Sequence, residues 1–174
     1  MTIPAIVTAQ TQVDPAFWLR AANAAVRREC GWHVAPVITE TLILDGRGGT
    51  RLLLPSLRVH AVIRVLNDGE DVTARVRYSR RAGILTLPAG WSTDVGSIEV
   101  TLEHGFSIED VPDVAALIVT LTKRAAASGA NIAQQNLGPA GVRYALGTDG
   151  APLSLPLLAS EKATLAPYAL AGEP

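Results

Sequence analysis

Apolar positions recur every three to four residues in two stretches of the chain and every second residue between them. After Asp14 and Pro15, the residues Leu19, Ala22, Val26 and Cys30 share one stripe while Arg20, Arg27 and Arg28 point elsewhere, the spacing of an amphipathic helix. Asp14 is placed to cap it, Pro15 takes a first-turn position where a missing N–H does no harm, and Gly31 comes next as the stop. A second helix opens at Pro112, with Asp110 and Asp113 complementing its positive end. Its stripe is Val114, Leu117, Ile118, Leu121 and Ala125, and Ser128-Gly129 closes it.

Between the helices the period drops to two, which predicts strands. From Leu57 to Leu66 the alternation sets Leu57, Val59, Ala61, Ile63 and Val65 against Arg58, His60, Val62, Arg64 and Leu66. Ser97 to His104 repeats it, with Ile98, Val100 and Leu102 against Glu99, Thr101 and Glu103. Shorter strands are expected at Thr39–Leu44, Arg51–Leu54, Arg75–Ser79 and Ile84–Leu87. Three punctuated stretches predict hairpins: Asp45-Gly46 with Gly48-Gly49, Asn67-Asp68-Gly69, and Pro88-Ala89-Gly90.

The expected fold class is α+β: a helical bundle of two main helices with an inserted antiparallel β meander or small sandwich, then an extended C-terminal arm. The boundaries are an N-terminal arm over 1–13, a core over 14–128 and a C-terminal arm over 129–174. Within the core lie a helix at 14–30, a β insertion at 37–104 and a helix at 112–127. The arm's pattern dissolves around Gly138-Pro139-Ala140-Gly141 and Val142–Leu146, which suggests a loop with one hairpin. It ends in a short helix over Ser160–Leu165, capped by Ser160 and stopped before Pro167. Leu153, Leu155, Leu157, Leu158 and Leu165 make this arm too apolar for a solvated linker, so it is expected to lie against a partner.

Composition narrows the function classes. The chain is 48% hydrophobic and 18% charged, enough to bury a core. A net charge of −1 provides no global attraction to nucleic acid or anionic membrane. The single cysteine, Cys30, excludes an internal disulfide framework and fits a reducing compartment. No stretch approaches the roughly 20 apolar residues of a membrane span, and the start lacks a signal-peptide pattern, so a soluble intracellular product is expected.

The search for chemistry returns little. Cys30 and His33 have a C-x-x-H spacing, but a structural zinc site takes four ligands, no second cysteine exists, and His60 and His104 lie far along the chain on strands. Neither a metal nor a cofactor is expected. Asp45-Gly46-Arg47-Gly48-Gly49 lacks the Lys-Ser/Thr ending of a phosphate loop, and a strand comes after it rather than a helix. No nucleophile elbow and no Cys–His pair in a nucleophilic arrangement is present, so no catalytic residue is assigned and an enzyme is not expected. Trp18, Trp32 and Trp91 read as core or interface anchors, because no basic residues interleave with them.

Charge is segregated along the sequence. Residues 58–81 hold six Arg against three acids, and residues 94–113 hold six acids and no Lys or Arg. Neutralisation within one chain accounts for this as readily as head-to-tail contact, in which Arg75 and Arg77 of one copy meet Glu99 and Glu103 of the next. Arg75 and Arg77, two apart and so on one strand face, can alternatively face a polyanion without reading bases.

Several runs in order carry a family resemblance. They are Arg28-Glu29-Cys30-Gly31-Trp32-His33-Val34-Ala35-Pro36, Thr39-Glu40-Thr41, Leu44-Asp45-Gly46 and Leu52-Leu53-Leu54-Pro55-Ser56-Leu57. Gly90-Trp91, His104-Gly105-Phe106, Val111-Pro112-Asp113-Val114, Gly138 to Tyr144 and Leu165-Ala166-Pro167-Tyr168 continue the series. In these runs the chain resembles the head-to-tail adaptor (head-completion connector) proteins of long-tailed phages, especially the siphophages of actinobacteria. The resemblance implies a non-enzymatic virion neck protein, assembled in the host cytoplasm, that forms a ring of twelve beneath the portal. It implies as partners the portal protein, a stopper or tail-completion protein, and DNA crossing the channel without sequence specificity. The arm, through Leu153, Leu155, Leu157, Leu158, Leu165 and Tyr168, is then expected to dock on the portal. The rival readings are another neck or tail component, a stopper or tail terminator, and a small cytosolic ligand-binding or enzymatic domain.

Overall fold

The structure is a computed structural model, and it describes residues 15–127, 134–137, 140–143 and 156–170. Helices α1 (Pro15–Cys30), α2 (Pro112–Ala127) and α3 (Ala159–Leu165) accompany strands β1 (Ile38–Leu44), β2 (Arg51–Leu53), β3 (Val59–Asn67), β4 (Glu70–Asp71), β5 (Arg77–Tyr78), β6 (Ile84–Thr86), β7 (Ile98–His104), β8 (Gln134–Leu137) and β9 (Ala140–Arg143). The class is α+β. By contacts the chain divides into two compact units, Met1–Val26 with Asp113–Thr164, and Arg27–Pro112 with Leu165–Pro174. This division cuts differently from a core of 14–128 and an arm of 129–174, because Leu165–Pro174 groups with the β unit. The expected N-terminal arm and the Asp14 cap lie outside the described residues.

The β unit is a small sandwich rather than a meander. One antiparallel sheet has the order β1-β7-β3-β4 and the other β2-β6-β5. β1 therefore pairs with the last long strand of the unit, seven residues in register from Ile38↔His104 to Leu44↔Ile98. Both sheets contribute to one core: Leu52 and Leu85 from the small sheet meet Val59, Val65, Ile98, Val100 and Leu102 from the large one. Burying such side chains contributes about 1.5–3 kcal/mol each, which is the main stabilising term of this unit.

Two of the three expected hairpins are corners instead. The glycine-rich stretch after β1 leads into β2, which belongs to the other sheet; Gly46 N–H and Gly48 N–H donate to the carbonyls of Asp94 (2.8 Å) and Ser92 (2.9 Å). A Cβ on Gly46 would lie 2.3 Å from the Ser92 carbonyl oxygen, so glycine is needed there for close approach. Pro88-Ala89-Gly90 likewise turns the chain out of β6 with no pairing to the next strand. Only Asp68-Gly69, with φ of 53° and 77°, makes a tight hairpin, joining β3 to the short β4.

The alternation in β3 does not survive intact. Register shifts between Val59 and Ala61 and between Val62 and Arg64 mark bulges against β7. Each extra residue reverses the parity of the strand beyond it. Ile63, expected inward, is 53% exposed, whereas Val62, expected outward, packs against the core. The expected strand Arg75–Ser79 is also interrupted: Thr73–Arg75 is a 3₁₀ turn and only Arg77–Tyr78 pairs.

In the helical unit, α1 buries Ala22 and Val26 and leaves Leu19 45% exposed. α2 buries Val114, Leu117, Leu121 and Ala125, a repeat of three and four residues. Arg124 of α2 makes a fork of two hydrogen bonds to Glu161 of α3 (2.8 and 3.1 Å) and donates to the Pro156 carbonyl (3.0 Å). Glu161 also accepts from Leu158 N–H at 2.8 Å, so α3 starts one residue earlier than expected and Glu161 caps it in place of Ser160. β8 and β9 pair antiparallel, from Gln134↔Arg143 to Leu137↔Ala140.

Candidate functional site

β1 is the outer strand of its sheet, so one side of its backbone has no neighbouring strand among the described residues. Such an edge is a template for pairing with another chain. Near its end Ile43 is 69% exposed, and across a hollow of about 360 Å³ stands Leu53, 62% exposed. Leu52 and Trp91 line the hollow with Asp45 and Arg51. The Asp45 carboxylate is already committed to the backbone N–H of Gly96 (2.9 Å), and no histidine, cysteine or serine lines the walls. The hollow therefore joins apolar rims suited to packing with one committed carboxylate and the side chains of Arg47 and Arg51.

The four residues expected to make charge contacts lie in three places. Arg75, in the 3₁₀ turn, pairs with Glu70 of β4, and Arg77 lies on β5. They do not share a strand face, yet both line a shallow hollow of about 360 Å³ with Leu87 and Pro88. Glu99 and Glu103 project from the outer face of β7 with Thr101, whose hydroxyl bonds that of Thr41 at 2.8 Å. None of the four makes an ion pair to another of the set among the described residues; Arg75 is neutralised locally.

Of the arm positions, Leu153 and Leu155 lie outside the described residues. Leu157 and Leu158 are half-buried, beside the Arg124–Glu161 pair. Leu165 is fully buried. Tyr168 packs edge-on against Phe106, with ring centroids 5.6 Å apart, and its carbonyl accepts from the Trp32 indole N–H at 2.7 Å. Leu170 N–H donates to the Cys30 carbonyl at 2.9 Å. Leu165 is thus packed within its own chain, and the half-buried Tyr168 is held there by Trp32 and Phe106.

The turn after α1 gathers polar chemistry that the spacing of residues concealed. His33 and His104 meet ring to ring, centroids 4.3 Å apart, although 71 positions separate them in number. His104 continues the inward parity of Ile98, Val100 and Leu102 and is 1% exposed. Glu40 sits on β1 at the parity of Ile38, Leu42 and Leu44, and its Oε1 is 2.7 Å from His104 Nε2. A polar, ionisable residue at an apolar parity position on each of two paired strands is the signal in the sequence. His33 Nε2 donates to the Pro36 carbonyl (3.0 Å), and His60 Nε2 bonds the Gly105 carbonyl (2.8 Å). Burial, and then the neighbouring His104, push the His33 imidazole below its ordinary value. Burial, with the nearby Glu29 charge, pushes the Cys30 thiol up to about 11, so it is an inert core group.

No family model matches the chain, and no curated protein matches it. A solved structure described as the neck of a native GTA particle, computed with C12 symmetry, matches over 64% of this chain and 71% of its own, at 22% identity and a TM-score of 0.49.

Proposed function

We propose that this chain is a non-catalytic assembly subunit: one copy of a ring-shaped head-to-tail adaptor that joins a portal to tail-completion proteins and lets DNA pass. The observation that carries this reading is the pairing of an open β1 edge with two exposed apolar side chains, Ile43 and Leu53, on the rim of a hollow that holds no reactive set. A side chain left more than half exposed at each rim contributes about 1.5–3 kcal/mol when a neighbour covers it. An enzyme would use such a hollow differently, with a nucleophile or an acid–base pair converging on a substrate, whereas here Asp45 is held by the Gly96 N–H beside Arg47 and Arg51. The ordered runs that resemble phage adaptors support this choice of assembly.

Contact between copies places the exposed Arg77 of one subunit near Glu99 and Glu103 of the next, with Arg75 contributing less because Glu70 already holds it. Exposed pairs of this kind fix register more than affinity. Leu153, Leu155, Leu157 and Leu158 remain the portal-docking part of the arm; Leu165 and Tyr168 act as the anchor that keeps the arm's end on its own subunit.

The test is assembly of the purified full chain with portal rings, with electron microscopy and mass measurement as readouts. Rings of uniform copy number are expected on the portal, and Ile43→Asp with Leu53→Asp should leave a folded monomer that no longer closes a ring. A wild-type chain that stays monomeric beside portal, or a double variant that assembles as well as wild type, would overturn the reading.

A further inference from the structure

The His33–Glu40–His104 cluster has no part in the ring contacts, and its chemistry points elsewhere. One ligand atom from each of the three side chains lies within 4.8 Å of the other two. Two imidazoles and a carboxylate are the donor set that Zn²⁺ takes when it keeps a fourth position for water. Metal–ligand bonds of about 2.0–2.2 Å put neighbouring ligands about 3.3 Å apart, so the set must draw in by about 1.5 Å at most. Glu40 Oε1 is already 2.7 Å from His104 Nε2, so that edge opens slightly with the 40% exposed Glu40 side chain, and His33, at the turn, closes toward the pair.

Further observations favour this donor set. His104 Nε2 and Glu40 Oε1 already face each other at 2.7 Å, two donor atoms of the set side by side. The Pro36 carbonyl accepts from His33 Nε2, the kind of backbone support that orients metal-ligating imidazoles. Val34, between His33 and the turn to β1, holds φ at 65° although it is β-branched and 2% exposed. That left-handed conformation costs about 1–3 kcal/mol and persists only where surrounding contacts demand it. Gly105 makes the room: a Cβ there would fall 2.5 Å from His33 Nε2.

We propose that His33, Glu40 and His104 form a binding site for a divalent first-row transition metal of the Zn²⁺ class, with water as fourth ligand. The ion ties the turn after α1 to the start of β1 and the end of β7, a structural clamp inside the β unit. It needs neither the ring nor the portal.

The experiment uses tag-free, chelator-treated full chain titrated with Co²⁺ as a spectroscopic stand-in and with Zn²⁺ in thermal melts. One equivalent of Co²⁺ per chain is expected, with visible d–d absorption. Zn²⁺ at about a hundred times its Kd should raise Tm by about 5–10 °C. Glu40→Gln and His33→Gln change groups near the surface, so both should stay folded and bind Co²⁺ at least tenfold more weakly. No Co²⁺ binding below about 1 mM, or binding unchanged in both variants, would overturn the site. A high-resolution structure of Zn²⁺-soaked protein with no ion among His33, Glu40 and His104 would do the same.

Discussion

β7 and β3 lie side by side in one sheet, and both alternate in sequence, yet only β7 obeys its alternation. In β7 the residues Ile98, Val100, Leu102 and His104 are all buried and Glu99, Thr101 and Glu103 face outward. In β3 the inward set is Val59, Val62 and Val65, because two bulges each insert an unpaired residue. β7 is flanked on both sides, by β1 and β3, so each slip would break two ladders of hydrogen bonds. β3 has a full partner on one side and only the two-residue β4 on the other, so it can bend. Alternation therefore identifies a strand, while the neighbours on its flanks decide which parity is inside.

The largest effect is expected at the strand that obeys. Leu102→Ala removes a fully buried side chain from the shared core and should cost about 2–5 kcal/mol in chemical denaturation. A loss below about 1 kcal/mol would mean that β7 is not the rigid reference for this comparison.

The bulged strand supplies the sharper contrast. Val62→Ser should cost about 1–2 kcal/mol, since it places a hydroxyl against the core, while Ile63→Ser should stay within about 0.5 kcal/mol. Simple alternation predicts the opposite order, so the two denaturation midpoints decide between a regular and a bulged β3.

A smaller effect is expected where β3 turns into β4. Thr73 anchors the strand: its hydroxyl accepts from Val65 N–H at 2.8 Å and donates to Asp71 Oδ1 at 2.6 Å. The Thr73 hydroxyl and backbone N–H, aided by Arg64, hold the Asp71 carboxyl below its usual value. A depressed carboxylate contributes stability that is present above its unfolded value of about 3.9 and is lost as pH falls through the lower folded value. Asp71→Asn should therefore lower stability slightly at neutral pH and converge with wild type in acid. Parallel pH profiles of the two chains would remove Asp71 from the anchor.

Local patterning made much of the architecture readable. Both long helices were visible from apolar stripes and from the proline and glycine at their ends, and the three longest strands, β1, β3 and β7, were visible in the middle region. Asp68-Gly69 was legible as a turn because its backbone conformation is a local property of those residues. The other two punctuated stretches were legible as turns but not as corners, since the choice between pairing back and crossing to a second sheet is made by the shared core. The candidate surface was partly readable: Glu99 and Glu103 face outward as alternation required, while Arg75 turned out to have Glu70 beside it.

By itself the chain determined roughly where the main helices and strands begin and end, that a core exists, and that no nucleophile motif is present, because these depend on residues a few positions apart. Tertiary structure alone decided that β1 closes against β7, that Leu165 and Tyr168 fold back on their own chain, and that His33, Glu40 and His104 meet. Each of these joins residues far apart in number, and such contacts form only when burial of a common core outweighs the entropy of closing the long loops between them.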